Sequence, residues 1–177
     1  LTYTARVADA AGNLGAAGVE YKATVDTTAP TLTATVGGMD DDVGIIKGPV
    51  ASGGVTDDTS LTVSGSFGGA TAGARLATGE TLRVYDGSTY LGNATVTVVA
   101  GGQSTWSYAD SRTLTDNQAL SYTARVMDTL GNESTAGTAY TATVDTTAPT
   151  NTTQTRQALS LNGTNQYANL PAVAGTA

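Results

Sequence analysis

The chain has 177 residues, 15 acidic against 8 basic side chains, a net charge of −7, and neither Cys nor His. Those absences exclude a disulfide framework, the usual zinc sites, haem ligation by histidine, and Ser–His–Asp or Cys–His catalysis. The acidic balance offers no basic patch for nucleic acid, no apolar run is long enough to span a bilayer, and no signal peptide opens the chain.

In chain order the first feature is a repeat. Residues 1–31 (LTYTARVADAAGNLGAAGVEYKATVDTTAPT) align without a gap with residues 120–150 (LSYTARVMDTLGNESTAGTAYTATVDTTAPT), at an offset of 119 residues and with 21 of 31 positions identical. A period this long suits one whole domain per repeat rather than a solenoid coil. The sequence therefore predicts two closing strands of one repeat in 1–31, a complete domain in 32–150, and an unrelated segment in 151–177.

Within 32–150 the apolar period is two. A first strand precedes a long excursion at 37–58; Leu61 and Val63 then alternate with Thr62 and Ser64, and Leu82 and Val84 with Thr81 and Arg83. Asp86-Gly87 supplies a tight turn, and Tyr90 to Val98 reads as the returning strand. Thr105 to Tyr108 forms a short strand around Trp106, which is expected as a core anchor rather than a sugar-stacking platform. Tyr122, Ala124 and Val126 form one face of the next strand, and Tyr140, Ala142 and Val144 one face of the last. About seven short strands with Gly, Asp and Asn at the turns predict an all-β, Greek-key β-sandwich, with a small closed barrel as the alternative. Tyr122, like Tyr3, stands where a tyrosine hydroxyl closes the corner of such a sandwich.

The strings DDVGIIKGPVASGGVTDDTSLTVSG (41–65), LRVYDGSTYLGNATV (82–96), STWSYA (104–109), YTARVMDTLGNES (122–134) and TATVDTTAPT (141–150) resemble the bacterial Ig-like repeats of giant, biofilm-associated, type I-secreted surface adhesins. The resemblance covers residues 1–150. It implies an Ig-like fold, an extracellular extender that holds an adhesive domain away from the cell, and calcium at the domain junctions. Residues 158–171 (ALSLNGTNQYANLP) more weakly resemble the opening of a laminin-G or concanavalin-like domain.

Calcium (Ca²⁺) has separate support in the residues. Asp40, Asp41 and Asp42 are consecutive, Asp57 and Asp58 adjacent, and Asp outnumbers Glu by twelve to three. Carboxylates this close repel unless a cation answers them, and Ca²⁺ takes six to eight oxygens from Asp, Asn and carbonyl groups. In a Greek-key sandwich the excursion at 37–58 and the end of the last strand share one pole, which brings Asp145 near Asp40–Asp42 and Asp57–Asp58. The loop from Asp128 to Asn132 lies at the other pole and meets Asp26, while Pro30 and Pro149 stiffen the links. The metal-ligand candidates are thus Asp26, Asp40, Asp41, Asp42, Asp57, Asp58, Asp128, Asn132 and Asp145. The Asp128 loop has a rival reading as a turn with Gly131 or Asn132 in the left-handed region. Asp86 is read as a turn residue, and Asp110 and Asp116 as turn or surface residues with the calcium reading left open.

Two functions follow. One is a non-catalytic spacer in a cell-surface adhesin, touching neighbouring repeats and reaching host or matrix ligands through other domains. The other is an accessory Ig-like module of a secreted polysaccharide-active enzyme. Duplication favours the spacer. Catalysis within these residues would need two carboxylates across a cleft, whereas these acids are predicted on polar loops.

Overall fold

The structure is a computed structural model that describes residues 1–68, 73–100 and 102–150, and the backbone of 160–161 and 166–167. The chain divides into two compact units, Leu1–Thr146 and Thr147–Ala177. In the second, β13 (Ser160–Leu161) pairs antiparallel with β14 (Gln166–Tyr167). The remainder of the segment with the laminin-G-like resemblance, 158–159, 162–165 and 168–171, lies outside the described residues.

The first unit opens on a hairpin of β1 (Thr2–Tyr3) and β2 (Tyr21–Lys22). Two five-stranded sheets follow. One carries β3 (Ala34–Asp41), β4 (Gly48–Pro49), β6 (Thr62–Phe67), β9 (Thr95–Thr97) and β10 (Thr105–Ala109), in the order β4-β3-β6-β10-β9. The other carries β5 (Gly54–Thr56), β7 (Thr81–Asp86), β8 (Thr89–Asn93), β11 (Ala119–Met127) and β12 (Tyr140–Val144), in the order β5-β12-β11-β7-β8. The pairings within both sheets are antiparallel except β5 on β12, which is parallel.

One core lies between the sheets because period-two alternation gives each strand one apolar side. Met39, Val63, Phe67 and Trp106 from the first sheet and Leu82, Val84, Tyr122, Val126 and Val144 from the second belong to one buried cluster. Trp106 is 2% exposed and its Nε1 donates to the Ser66 carbonyl at 3.4 Å, so the ring serves packing and is closed to a sugar. In β11 every second residue from Leu120 to Val126 is buried.

Two expectations are corrected. The run from Tyr90 to Val98 is not one strand: β8 and β9 lie in different sheets, and the chain crosses between them at Ala94, whose N–H donates to the Leu82 carbonyl at 2.8 Å. Its β-branched composition suits either sheet, so the crossing leaves no mark in the pattern. The excursion at 37–58 is likewise not a plain loop, for it holds the second half of β3 together with β4 and β5.

The extension of β3 matters for the acids. Its pairing with β6 shifts register between Val36 and Gly38. Such a bulge inserts one residue and re-aims all side chains beyond it. Ala34 and Val36 point inward before it, Met39 and Asp41 after it. Asp41 is buried as a result, and its neighbours Asp40 and Asp42 are exposed.

Candidate calcium site and repeat junction

At the end of the sandwich where β3, β5 and β12 finish, hydrogen bonds gather several of the predicted acids. Thr56 is the hub. Its hydroxyl donates to Asp41 Oδ2 at 2.6 Å and accepts from the Asp58 N–H at 3.1 Å. The Thr56 carbonyl accepts from the Asp145 N–H at 2.8 Å. Asp58 Oδ2 accepts from the Asp42 N–H at 3.4 Å, and Oδ1 from the Ser60 N–H and hydroxyl at 2.7 and 3.1 Å. The Asp57 carboxylate lies against Gly44, where an added Cβ would collide with it. Asp41, Asp42, Asp57, Asp58 and Asp145 therefore share one end, whereas Asp40 stands in β3 with its side chain exposed.

Asp41 and Asp58 are 8% and 1% exposed, and none of the four ion pairs among the described residues reaches either of them. Burying a carboxylate without a counter-charge is costly unless hydrogen bonds or a cation offset it. Both have hydrogen-bond donors and each keeps lone-pair capacity. Among the described residues, however, no three Asp, Glu, His or Cys side chains converge as a group able to hold a metal ion. Calcium here would take Asp41 and Asp58 together with carbonyl, water or neighbouring-module oxygens; this donor chemistry fits the ion in part.

The loop at the opposite end of β12 has a different character. Asp128 Oδ1 accepts from the Leu130 and Asn132 N–H groups at 2.8 and 2.9 Å, and Oδ2 from Asn132 Nδ2 at 2.8 Å. Gly131 has φ of +92°, so the turn reading places glycine, and not Asn132, in the left-handed region. The Asn132 hydrogen bond is the main cause holding the Asp128 carboxyl below its ordinary range, against a smaller opposing effect of burial. The loop is thus braced by its own donors. Asp9 and Asn13 repeat the arrangement at 3.0, 2.8 and 2.8 Å, with Gly12 at φ +88°. The expected meeting with Asp26 is present as one contact, from Asn132 Nδ2 to the Asp26 carbonyl at 3.3 Å. Asp26 directs its own Oδ1 to the Thr28 N–H at 2.9 Å.

Three acids read as turn or surface residues do more than that reading gave them. Asp110, 3% exposed, accepts from Arg112 Nη2 at 2.6 Å and from the Tyr122 hydroxyl at 2.6 Å. Burial raises its pKa, but the Arg112 and Tyr122 hydrogen bonds outweigh that and leave it lowered. Asp86 accepts from Arg112 Nη1 at 2.9 Å and from the Ser121 N–H at 2.8 Å. Asp116 Oδ1 takes the Thr146 N–H at 2.7 Å. The signal for Asp110 was the nearby Arg112, the only basic residue between Arg83 and Arg125. No protein-family model matches the chain, and no curated protein matches it either.

Proposed function

We propose that residues 32–150 form an Ig-like domain that acts as a non-catalytic extender repeat of an extracellular, bacterial cell-surface adhesin in adhesion and biofilm formation. In this reading calcium stiffens the junctions between repeats. The strand orders support the Ig-like assignment: β3-β6-β10-β9 opposes β12-β11-β7-β8, as strands A-B-E-D oppose G-F-C-C′ in that fold.

The observation that carries the reading is the second copy of the closing hairpin. Tyr3 pairs with Tyr21 as Tyr122 pairs with Tyr140, so both copies share one register. Leu1, Tyr3, Ala5, Val7, Tyr21, Ala23 and Val25 are identical to the residues at 120, 122, 124, 126, 140, 142 and 144. In the second copy that face belongs to the core; in the first, Tyr3, Val7, Tyr21 and Val25 are 59 to 81% exposed. A face of this composition is what the remaining strands of another such sandwich would cover. Tandem copies of one sandwich suit a spacer.

Calcium enters this reading at the end that carries Asp41 and Asp58. An ion that binds the assembled junction better than the open one stabilises it as the logarithm of free calcium over its dissociation constant. Small-angle scattering from two tandem repeats tests the reading. Millimolar calcium should lengthen the particle and excess chelator shorten it, and Asp58→Asn should abolish the difference. Identical profiles under both conditions would remove calcium from the account and leave the extender without ion-stiffened junctions.

A further inference from the structure

Asn132 spends one amide N–H on Asp128 Oδ2 and points the same nitrogen at the Asp26 carbonyl, at 2.8 and 3.3 Å. A primary amide has two N–H donors, so both contacts can be made at once. We propose that the Asp128–Asn132 loop is a hydrogen-bonded latch that closes on the backbone of the linker preceding the domain. Asn132 is the gripping residue and Asp128 the positioning residue. The inference rests on the extender reading, because the linker that is gripped is the Asp-Thr-Thr-Ala-Pro string ending the other repeat copy.

Three features make the loop a preformed donor. The Asp128 carboxylate fixes both the backbone and the side chain of Asn132. Gly131 supplies the positive φ that closes the turn, and the Asp128 N–H donates back to the Asn132 carbonyl at 3.1 Å. The acceptor is ordered too: Asp26 Oδ1 caps the Thr28 N–H and Pro30 restricts the chain just beyond. A donor and an acceptor that are each fixed by their own neighbours lose little freedom on meeting.

The other copy supplies the comparison. Asn13 makes the same bond to Asp9 Oδ2 at 2.8 Å, and among the described residues its amide has no further acceptor. Asn13 is exposed, while Asn132, under the linker, is half-buried. The latch assigns to Asn13 the same grip on the linker of an adjacent repeat. One donor loop at one end and one acceptor string at the other make a head-to-tail contact, which propagates along a tandem array.

The test is amide relaxation on the full 177-residue chain in chelator, comparing wild type with Asn132→Ala, Asp128→Ala and Asn13→Ala. Wild-type order parameters across 23–28 should stand near about 0.85, and both Asn132→Ala and Asp128→Ala should lower them below about 0.6. Asn13→Ala should leave them at the wild-type value, and the sandwich amides of β6, β10 and β11 should stay rigid in every variant. That last reading separates a released linker from a misfolded domain. Unchanged order parameters in Asn132→Ala overturn the latch. Wild-type linker amides that are mobile in chelator and rigid only with added calcium also overturn it, while leaving the calcium-stiffened extender intact. A latch that holds in chelator, in an array whose length ignores calcium, would instead sink calcium stiffening alone.

Discussion

Asp110 ties the sandwich at the level of single residues. Its carboxylate is almost fully buried and is held by the Tyr122 hydroxyl and the guanidinium of Arg112, which reaches on to Asp86. Removing one partner of a buried ion leaves an uncompensated charge, at a cost of about 3–5 kcal/mol. The Arg112 side chain is 33% exposed, so solvent screens part of that loss. Arg112→Met is expected at the low end, about 3 kcal/mol in urea unfolding. Tyr122→Phe removes one hydrogen bond to a charged group and should cost about 1.5–3 kcal/mol. A smaller loss for Arg112→Met than for Tyr122→Phe would mean that water replaces the guanidinium. Gly65 is a second single-residue constraint. A Cβ there would strike the Thr35 carbonyl oxygen of the adjacent strand and sit 2.8 Å from Trp106 Cζ2. Overpacking of this kind costs about 1–3 kcal/mol or more, and Gly65→Ala should lower the urea midpoint accordingly. A midpoint equal to wild type would show that β3 yields without strain.

The duplicated hairpin lets one strand be tested in two settings. Leu120 is 2% exposed and packs in the core, whereas Leu1, its counterpart at the same offset, is 65% exposed. Leu120→Ala should cost about 2–5 kcal/mol. Leu1→Ala should fall within about 0.5 kcal/mol of wild type, as surface substitutions do. A large effect at Leu1 would mean that the hairpin face is covered in solution. The strands were legible wherever apolar and polar residues alternate, as in β7, β11 and β12, because half-buried strands impose that period. Three things left no such trace. The crossing at Ala94 separates two strands of similar composition. The bulge near Gly37 decides that Asp41 and not Asp40 turns inward, which depends on pairing with β6 and on no local pattern. Asp110 takes one partner, Arg112, from two residues away, but its other, Tyr122, comes from β11. Arg112 reaches on to Asp86 in β7, so only the Arg112 contact is local. The Asp128 loop was the opposite case: its turn is encoded within five residues, and both copies fold it alike.

At the scale of the whole molecule the acids and tyrosines set a pH window. Asp9, Asp110 and Asp128 have pKa values lowered by folding, so the native state binds fewer protons there than the unfolded chain. Their contribution is complete above the unfolded carboxyl value of about 3.9 and is lost as pH falls through the lower native values. Tyr122 titrates the other way. Burial, and then the Asp110 carboxylate, raise its phenol above the ordinary value, so its contribution is lost as pH rises past about 10, where the unfolded phenol ionises. Stability should therefore be flat between those limits and fall on both sides. Asp110→Asn tests how much of the acid limb belongs to the buried site. The amide cannot ionise, so the variant should be less stable at neutral pH yet lose less than wild type below about pH 4. Acid limbs of equal slope in both proteins would assign the loss to the two loop carboxylates, Asp9 and Asp128. Asn13→Ala combined with Asn132→Ala would then flatten the limb, because the main cause of both lowered values is the paired asparagine.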